Sequence, residues 1–284
     1  MRYGDKIAVI SPSGPLRELD NFQQGLEIWR SHGYQIEFID GWDGIDGYLS
    51  ASDCKRRDAL AQAWQDPQIK AIACSRGGYG TMRLLEDFSW PKGISKWLIG
   101  FSDITGLIWS LQTKGISSIH GPVLTTLSLE PDWSIKRLFA LLEGSSVQVL
   151  MGKGWGNGKA KGKLIVGNLT VATALLGTEH QPDFAGVILG FEDVGESPYR
   201  IDRMLTQWRL TGALTGIKGI VLGRFSQSSS DYQAVEKVLR DRLGNLPIPI
   251  VSDLPFGHDG VNAALKVGSI VELDGDLGQL REIC

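Results

Sequence analysis

The apolar positions of this chain fall into two alternating patterns. Short apolar runs at Ile7–Ile10, Gln35–Ile39, Ile69–Cys74 and Trp97–Ile99 have the length of buried strands. Between them lie stretches with helical spacing. Leu16 to Arg30 sets Phe22, Leu26, Ile28 and Trp29 at intervals that share a helix face, and Gly33 is placed to stop it. Ser52 is placed to cap a helix running to Trp64, with Pro67 just beyond its end. Met82–Asp87 and Asp103–Lys114 predict two more helices. Strand and helix alternating in this way predict a mostly parallel sheet covered by helices on both faces.

The pattern changes near residue 150. Residues 152–163 are almost entirely glycine and lysine, and predict a linker or surface hairpin near a domain boundary. The segment superficially resembles a phosphate loop. The spacing fails, because Lys153 and Ala160 stand where that motif needs glycine and a hydroxyl residue. Further on, strands are predicted at Lys163–Val166, Val187–Phe191, Gly219–Leu222 and Ile248–Ser252. Helices are predicted at Leu169–Leu176, Pro198–Leu210 and Tyr232–Leu243, with Ser197 as cap before Pro198.

Composition narrows the function classes. The chain has 284 residues, enough for one large or two ordinary domains, and 42% of them are apolar. A net charge of −3 gives no electrostatic reason to expect a nucleic-acid or membrane partner. The first apolar run is too short for a secretory signal, and no run is long enough to span a bilayer. Three sparse cysteines, Cys54, Cys74 and Cys284, form neither a disulfide framework nor a zinc pattern, so a cytoplasmic location is expected, with no metal.

In open α/β sheets ligands bind beyond the carboxyl ends of the strands. Four strand ends stand out. Arg76-Gly77-Gly78-Tyr79-Gly80 would let the backbone approach a ligand, or form an ordinary glycine turn. Gly100-Phe101-Ser102-Asp103 puts a serine at a strand-to-helix turn, the setting of a nucleophile elbow, although Ile104 stands where that motif has its second glycine. A simpler role for Ser102 is to cap the following helix. Glu192 follows a buried strand and could orient an imidazole, whereas Asp193 and Glu196 read as solvated loop acids. Of the four histidines, His32 suits a helix end, His180 a polar loop, and His120 the turn at Gly121-Pro122. His258, between Gly257 and Gly260, is the best general base. Nucleophile, acid and base in the order Ser102, Glu192, His258 match one known arrangement of a catalytic triad, with Gly78 and the Asp103 N–H as oxyanion donors.

These motifs, together with Gly4-Asp5-Lys6-Ile7-Ala8-Val9, Ser11-Pro12-Ser13, Gly167-Asn168-Leu169, Pro198-Tyr199-Arg200-Ile201-Asp202-Arg203-Met204-Leu205 and Phe256-Gly257-His258, resemble the LD-carboxypeptidases. That serine peptidase family also includes the microcin C self-immunity peptidases. The resemblance runs over nearly the whole chain. It implies a Rossmann-like N-terminal domain carrying the nucleophile (1–147), the Gly/Lys-rich linker (148–163), and a smaller C-terminal α/β domain carrying the acid and base (164–284). It implies the triad Ser102, Glu192 and His258, an oxyanion hole at the backbone of Gly78 and Asp103, a homodimer, and no cofactor. The implied reaction releases the terminal D-alanine of murein tetrapeptide by cleaving an L,D-peptide bond. Arg76 is a candidate for holding the substrate carboxylate, or for pairing with a loop acid. Three rival readings are an immunity-type peptidase acting on an aminoacyl nucleotide, with Trp155 stacking the base, a catalytically silent binding protein, and a nucleotide-dependent oxidoreductase. The missing dinucleotide fingerprint argues against the last. Cys74, inside an apolar strand, reads as a core residue rather than a nucleophile.

Overall fold

The computed structural model describes residues 1–226 and 232–283. The first half runs β1 (Lys6–Ile10), α1 (Leu19–Ser31), β2 (Gln35–Phe38), α2 (Asp53–Gln65), β3 (Ile69–Cys74), α3 (Thr81–Leu85), β4 (Trp97–Gly100), a 3-10 turn (Ser102–Ile104), α4 (Thr105–Gln112), β5 (Ser118–His120), α5 (Leu124–Leu127) and α6 (Asp132–Glu143). The second half runs β6 (Leu150–Met151), β7 (Lys153–Gly154), β8 (Lys159–Asn168), α7 (Leu169–Leu175), β9 (Val187–Val194), α8 (Pro198–Leu210), β10 (Gly219–Ser226), α9 (Tyr232–Leu243), β11 (Ile250–Ser252), β12 (Leu265–Val267), β13 (Ile270–Asp274) and β14 (Gln279–Glu282). The fold is α/β, as the patterning predicts.

Alternation along β1 sends its side chains into two cores. Ile7 and Val9 join Ala71 and Ile99 against Phe22, Leu26 and Trp29 of α1 and Leu138 and Phe139 of α6. Ala8 and Ile10 join Ile72 and Leu98 against Leu60 and Trp64 of α2 and Leu107 and Ile108 of α4. Strands β1 to β5 pair in parallel, in the order β5-β4-β3-β1-β2. The far edge is closed by β12, which lies antiparallel on β5 with Leu265 opposite His120. A segment from the second half of the chain thus completes the first sheet.

The second sheet has the order β6-β14-β13-β8-β9-β10-β11-β7 among the described residues. Its middle, β8 to β11, is parallel, and its flanks are antiparallel. The Gly/Lys-rich segment, expected as a linker or surface hairpin, is built into this sheet. It supplies β6, β7 and the first half of β8, where Lys159–Lys163 pairs with Ile270–Asp274. Gly152, Gly154 and Gly162 answer close backbone packing, whereas Gly156 and Gly158 supply positive φ. A Cβ on Gly152 would meet the Ser252 carbonyl oxygen at 2.3 Å, and one on Gly154 the Gly275 oxygen at 2.1 Å.

Helix α4 joins the two halves. Residues Thr105 to Leu111 are all buried, because α4 lies between the first sheet and the β8–α7 layer. Trp109 Nε1–H donates to the Val166 carbonyl of β8 at 3.0 Å. Among the described residues no helix is long and apolar enough to cross a membrane.

Candidate active site

Ser102 leaves β4 in the left-handed region, at φ +62°. Holding a non-glycine residue there costs about 1–3 kcal/mol, so the surroundings must impose it. They do so through the next residue. The buried Asp103 carboxylate accepts the Ser13 hydroxyl at 2.6 Å and the Thr81 N–H at 2.9 Å, and Thr81 Oγ1 donates to the Asp103 carbonyl. The Gly121 N–H donates to the Gly100 carbonyl at 3.1 Å and ties the strand end to β5. Three loops are thereby locked around the serine. Gly77 closes over it so tightly that a Cβ there would lie 3.2 Å from Ser102 Oγ. Gly78, at φ +124°, packs on Gly14.

Glu192 lies within β9 rather than after it, and is fully buried. Its Oε2 accepts His258 Nδ1–H at 2.6 Å, and its Oε1 accepts Asn168 Nδ2–H at 3.3 Å. Burial works against the charged form of His258. The hydrogen bond and charge of Glu192, with Asp193 behind it, outweigh that and raise the imidazole pKa above its ordinary value. With Nδ1 committed to Glu192, the tautomer of the neutral ring leaves Nε2 as the acceptor. Ser102, His258, Gly77, Gly78, Phe101 and Arg76 line one cavity of about 240 Å³. Phe101, beside the serine, packs on the His258 ring at 4.7 Å between centroids. The arrangement can present a hydroxyl, an oriented base and glycine-rich backbone to one bound group.

Several expectations need correction. Asp193 is not solvated. It is buried, accepts hydrogen bonds from Thr170 N, Thr170 Oγ1, Asn168 Nδ2 and Val194 N, and burial is the main cause that pushes its carboxyl up to about 6. Glu196 is half-buried and paired with Arg200. His120 does not fix its turn through hydrogen bonds, since neither ring nitrogen has a partner among the described residues. Desolvation drives that buried imidazole down to about 4, so it stays neutral between Phe101 and Phe256. Ser197 stands at the N-cap of α8 without a side-chain cap bond. Arg76 does pair with a loop acid: Nη1 lies 3.5 Å from Glu18 and donates to the Pro15 carbonyl at 2.9 Å. Trp155 is also engaged, with Nε1–H on Ser252 Oγ at 2.9 Å and the Arg240 guanidinium 4.1 Å over its ring.

Two contributors escape sequence reasoning. One is the Asp103 carboxylate, whose signal was an acid directly after the serine at a helix start. The other is Asn168. Its N–H donates to Thr105 Oγ1 on α4, its Oδ1 caps α7 at Val171, and its Nδ2 reaches Glu192 and Asp193. It therefore links the helix behind Ser102 to the acid behind His258.

The chain is similar to several known proteins over nearly its whole length. Residues 7–121 match the model of an LD-carboxypeptidase N-terminal domain, and residues 161–273 that of an LD-carboxypeptidase C-terminal domain. A putative carboxypeptidase of Synechocystis sp. is 58% identical over 99% of this chain and 95% of its own. The murein tetrapeptide carboxypeptidase of Pseudomonas aeruginosa is 31% identical over 95% of this chain and 94% of its own. The crystal structure of muramoyltetrapeptide carboxypeptidase from Oxalobacter formigenes superposes with a TM-score of 0.85 at 30% identity, covering 98% of this chain and 97% of that one.

Proposed function

The chain belongs to the LD-carboxypeptidase family, and from that premise we propose that it is a serine carboxypeptidase that removes the terminal D-alanine of murein tetrapeptide by cleaving an L,D-peptide bond. The observation that carries the reading is the shared cavity. A serine held at positive φ and an imidazole oriented by a buried carboxylate open into the same space.

In this reading Ser102 Oγ attacks the scissile carbonyl while His258 Nε2 takes its proton. Glu192 fixes the tautomer and stabilises the imidazolium that forms. The N–H groups of Gly78 and Asp103 receive the developing oxyanion, and the turn at the start of α4 favours negative charge there. His258 then passes the proton to the leaving D-alanine amine, and water resolves the acyl-enzyme by the reverse sequence. Arg76, on the cavity wall, would turn from Glu18 toward the substrate's terminal carboxylate. No step calls on a cofactor. The biological setting we infer is cytoplasmic recycling of wall peptides by a homodimer.

The test is direct. Purified protein incubated with the tetrapeptide should release free D-alanine and tripeptide, read by mass spectrometry, and should leave an all-L analogue intact. Release from neither peptide, with a folded enzyme, would refute the assignment of substrate.

A further inference from the structure

His258 is held from two sides, and only one of them is the Glu192 carboxylate. The other begins at Glu130, in the turn between α5 and α6, on the half of the chain that carries Ser102. The Glu130 carboxylate is buried and accepts the Asn262 N–H on both oxygens, at 3.1 and 3.0 Å. The Asn262 side chain in turn accepts the Gly257 N–H at 3.0 Å, which closes residues 257–262 into a loop with His258 on its rim. Gly257 sits at φ +119°, and a Cβ there would lie 3.0 Å from Glu192 Cβ and 3.1 Å from the Arg224 carbonyl. The loop therefore has no room to shift toward β9. On its other end the loop is tied to the first half through Glu130. Leu129, the neighbour of Glu130, lines the cavity with Ser102 and His258.

We propose that Glu130 is a positioning residue that acts through Asn262 and Gly257 to set the His258 imidazole at its working distance from Ser102. The proposal rests on the reading of Ser102, Glu192 and His258 as the reacting set. The physical case is that proton transfer depends steeply on placement. The base sits on a loop of the second half, the nucleophile on a turn of the first, and Glu130 is a buried hydrogen-bonded tie between that loop and the first half. Burying a carboxylate is costly, and burial accordingly raises its pKa despite the hydrogen bonds from the Asn262 backbone. An apolar residue would fill the space at less cost, but it would not hold the loop.

Glu130→Gln, nearly isosteric, tests this with Asn262→Ala as the second variant. Loss of positioning should lower kcat on the tetrapeptide by about 10-fold to 100-fold, with KM changed less than about 2-fold. The low-field Nδ1 proton of His258, followed by NMR without substrate, should shift or broaden in both variants. Thermal midpoints measured beside the kinetics give the folded fraction. Parental kcat with an unmoved Nδ1 resonance overturns the proposal, as does a rate loss fully explained by unfolded protein. If the parent enzyme hydrolyses no tetrapeptide, the substrate assignment fails. The NMR comparison then decides the role of Glu130 alone, an unmoved resonance overturning it.

Discussion

The turn that carries Ser102 and the loop that carries His258 are built on opposite principles. The Ser102 turn is fixed from within its own half. Gly77, Thr81, Asp103 and Gly121 all lie within about 25 residues of it, and Ser13 reaches it from the loop after β1. The His258 loop is fixed by distant partners, Glu192 on β9 and Glu130 beyond α5. As the nucleophile we propose, the strained Ser102 needs a rigid local frame, because any relaxation takes φ back to a favourable region. As the general base we propose, His258 needs its place relative to a group elsewhere in the chain, so ties to both halves serve it better than local rigidity. Asn168 and α4 connect the two constructions through Thr105.

Three substitutions would break or sharpen this contrast. Ser102→Ala should have the largest effect, a loss of about 10⁴-fold or more in kcat, since triad members act as a unit. Its thermal midpoint should stay near that of the parent, because the frame of the turn does not run through the hydroxyl. Retained turnover would remove Ser102 from the chemistry.

Glu192→Gln should come next, with kcat lower by about 10³-fold to 10⁴-fold, the scale seen when the acid of such a triad becomes an amide. It also carries a pH signature. The base must be neutral to accept the serine proton, so activity rises with pH through the His258 pKa. In the parent that pKa is raised, placing the acid limb above the ordinary histidine range. Without the Glu192 charge, burial acts on the ring with less opposition, and the limb should move to lower pH. A limb that moves upward in the kcat/KM profile would contradict the electrostatic account.

Asp103→Asn should cost least in rate, about 10-fold, and about 1–3 kcal/mol in stability. Ser13 and Thr81 both donate to the same carboxylate oxygen, so the loss comes from exchanging a charged acceptor for a weaker amide oxygen and setting an NH₂ where the other oxygen lies. The limb set by His258 should not move, because the damage stays on the serine side. Denaturant unfolding together with the pH–rate profile would check both parts.

Much of the first half could be read from its pattern. The strands β1, β3 and β4 and the helix α2 are long or sharply bounded, and their elements match the expected spans within a residue or two. Helix α6 carries Ile135, Leu138, Phe139 and Leu142 at helical spacing, a pattern equally legible in the sequence. Strands β5, β12, β13 and β14 mix polar with apolar residues over three to five positions, so no continuous apolar run marks them as it marks β1 and β4. The Gly/Lys-rich segment misled for another reason. Glycine permits flexibility and close backbone contact alike, and only the facing strands show which applies.

By itself the sequence determined the alternation of strand and helix, the strand-end position of Ser102 and the place of His258 among glycines after a strand. Periodicity and turn chemistry are local, and each of those features is written in neighbouring residues. Tertiary structure alone decided that Asp193 is buried beside Glu192, that Arg76 meets Glu18, that β12 closes the first sheet, and that Glu130 holds the loop of His258. Those are contacts between residues far apart in the chain. No local pattern encodes them, because the burial and hydrogen bonding that define them exist only once the two halves have packed on one core.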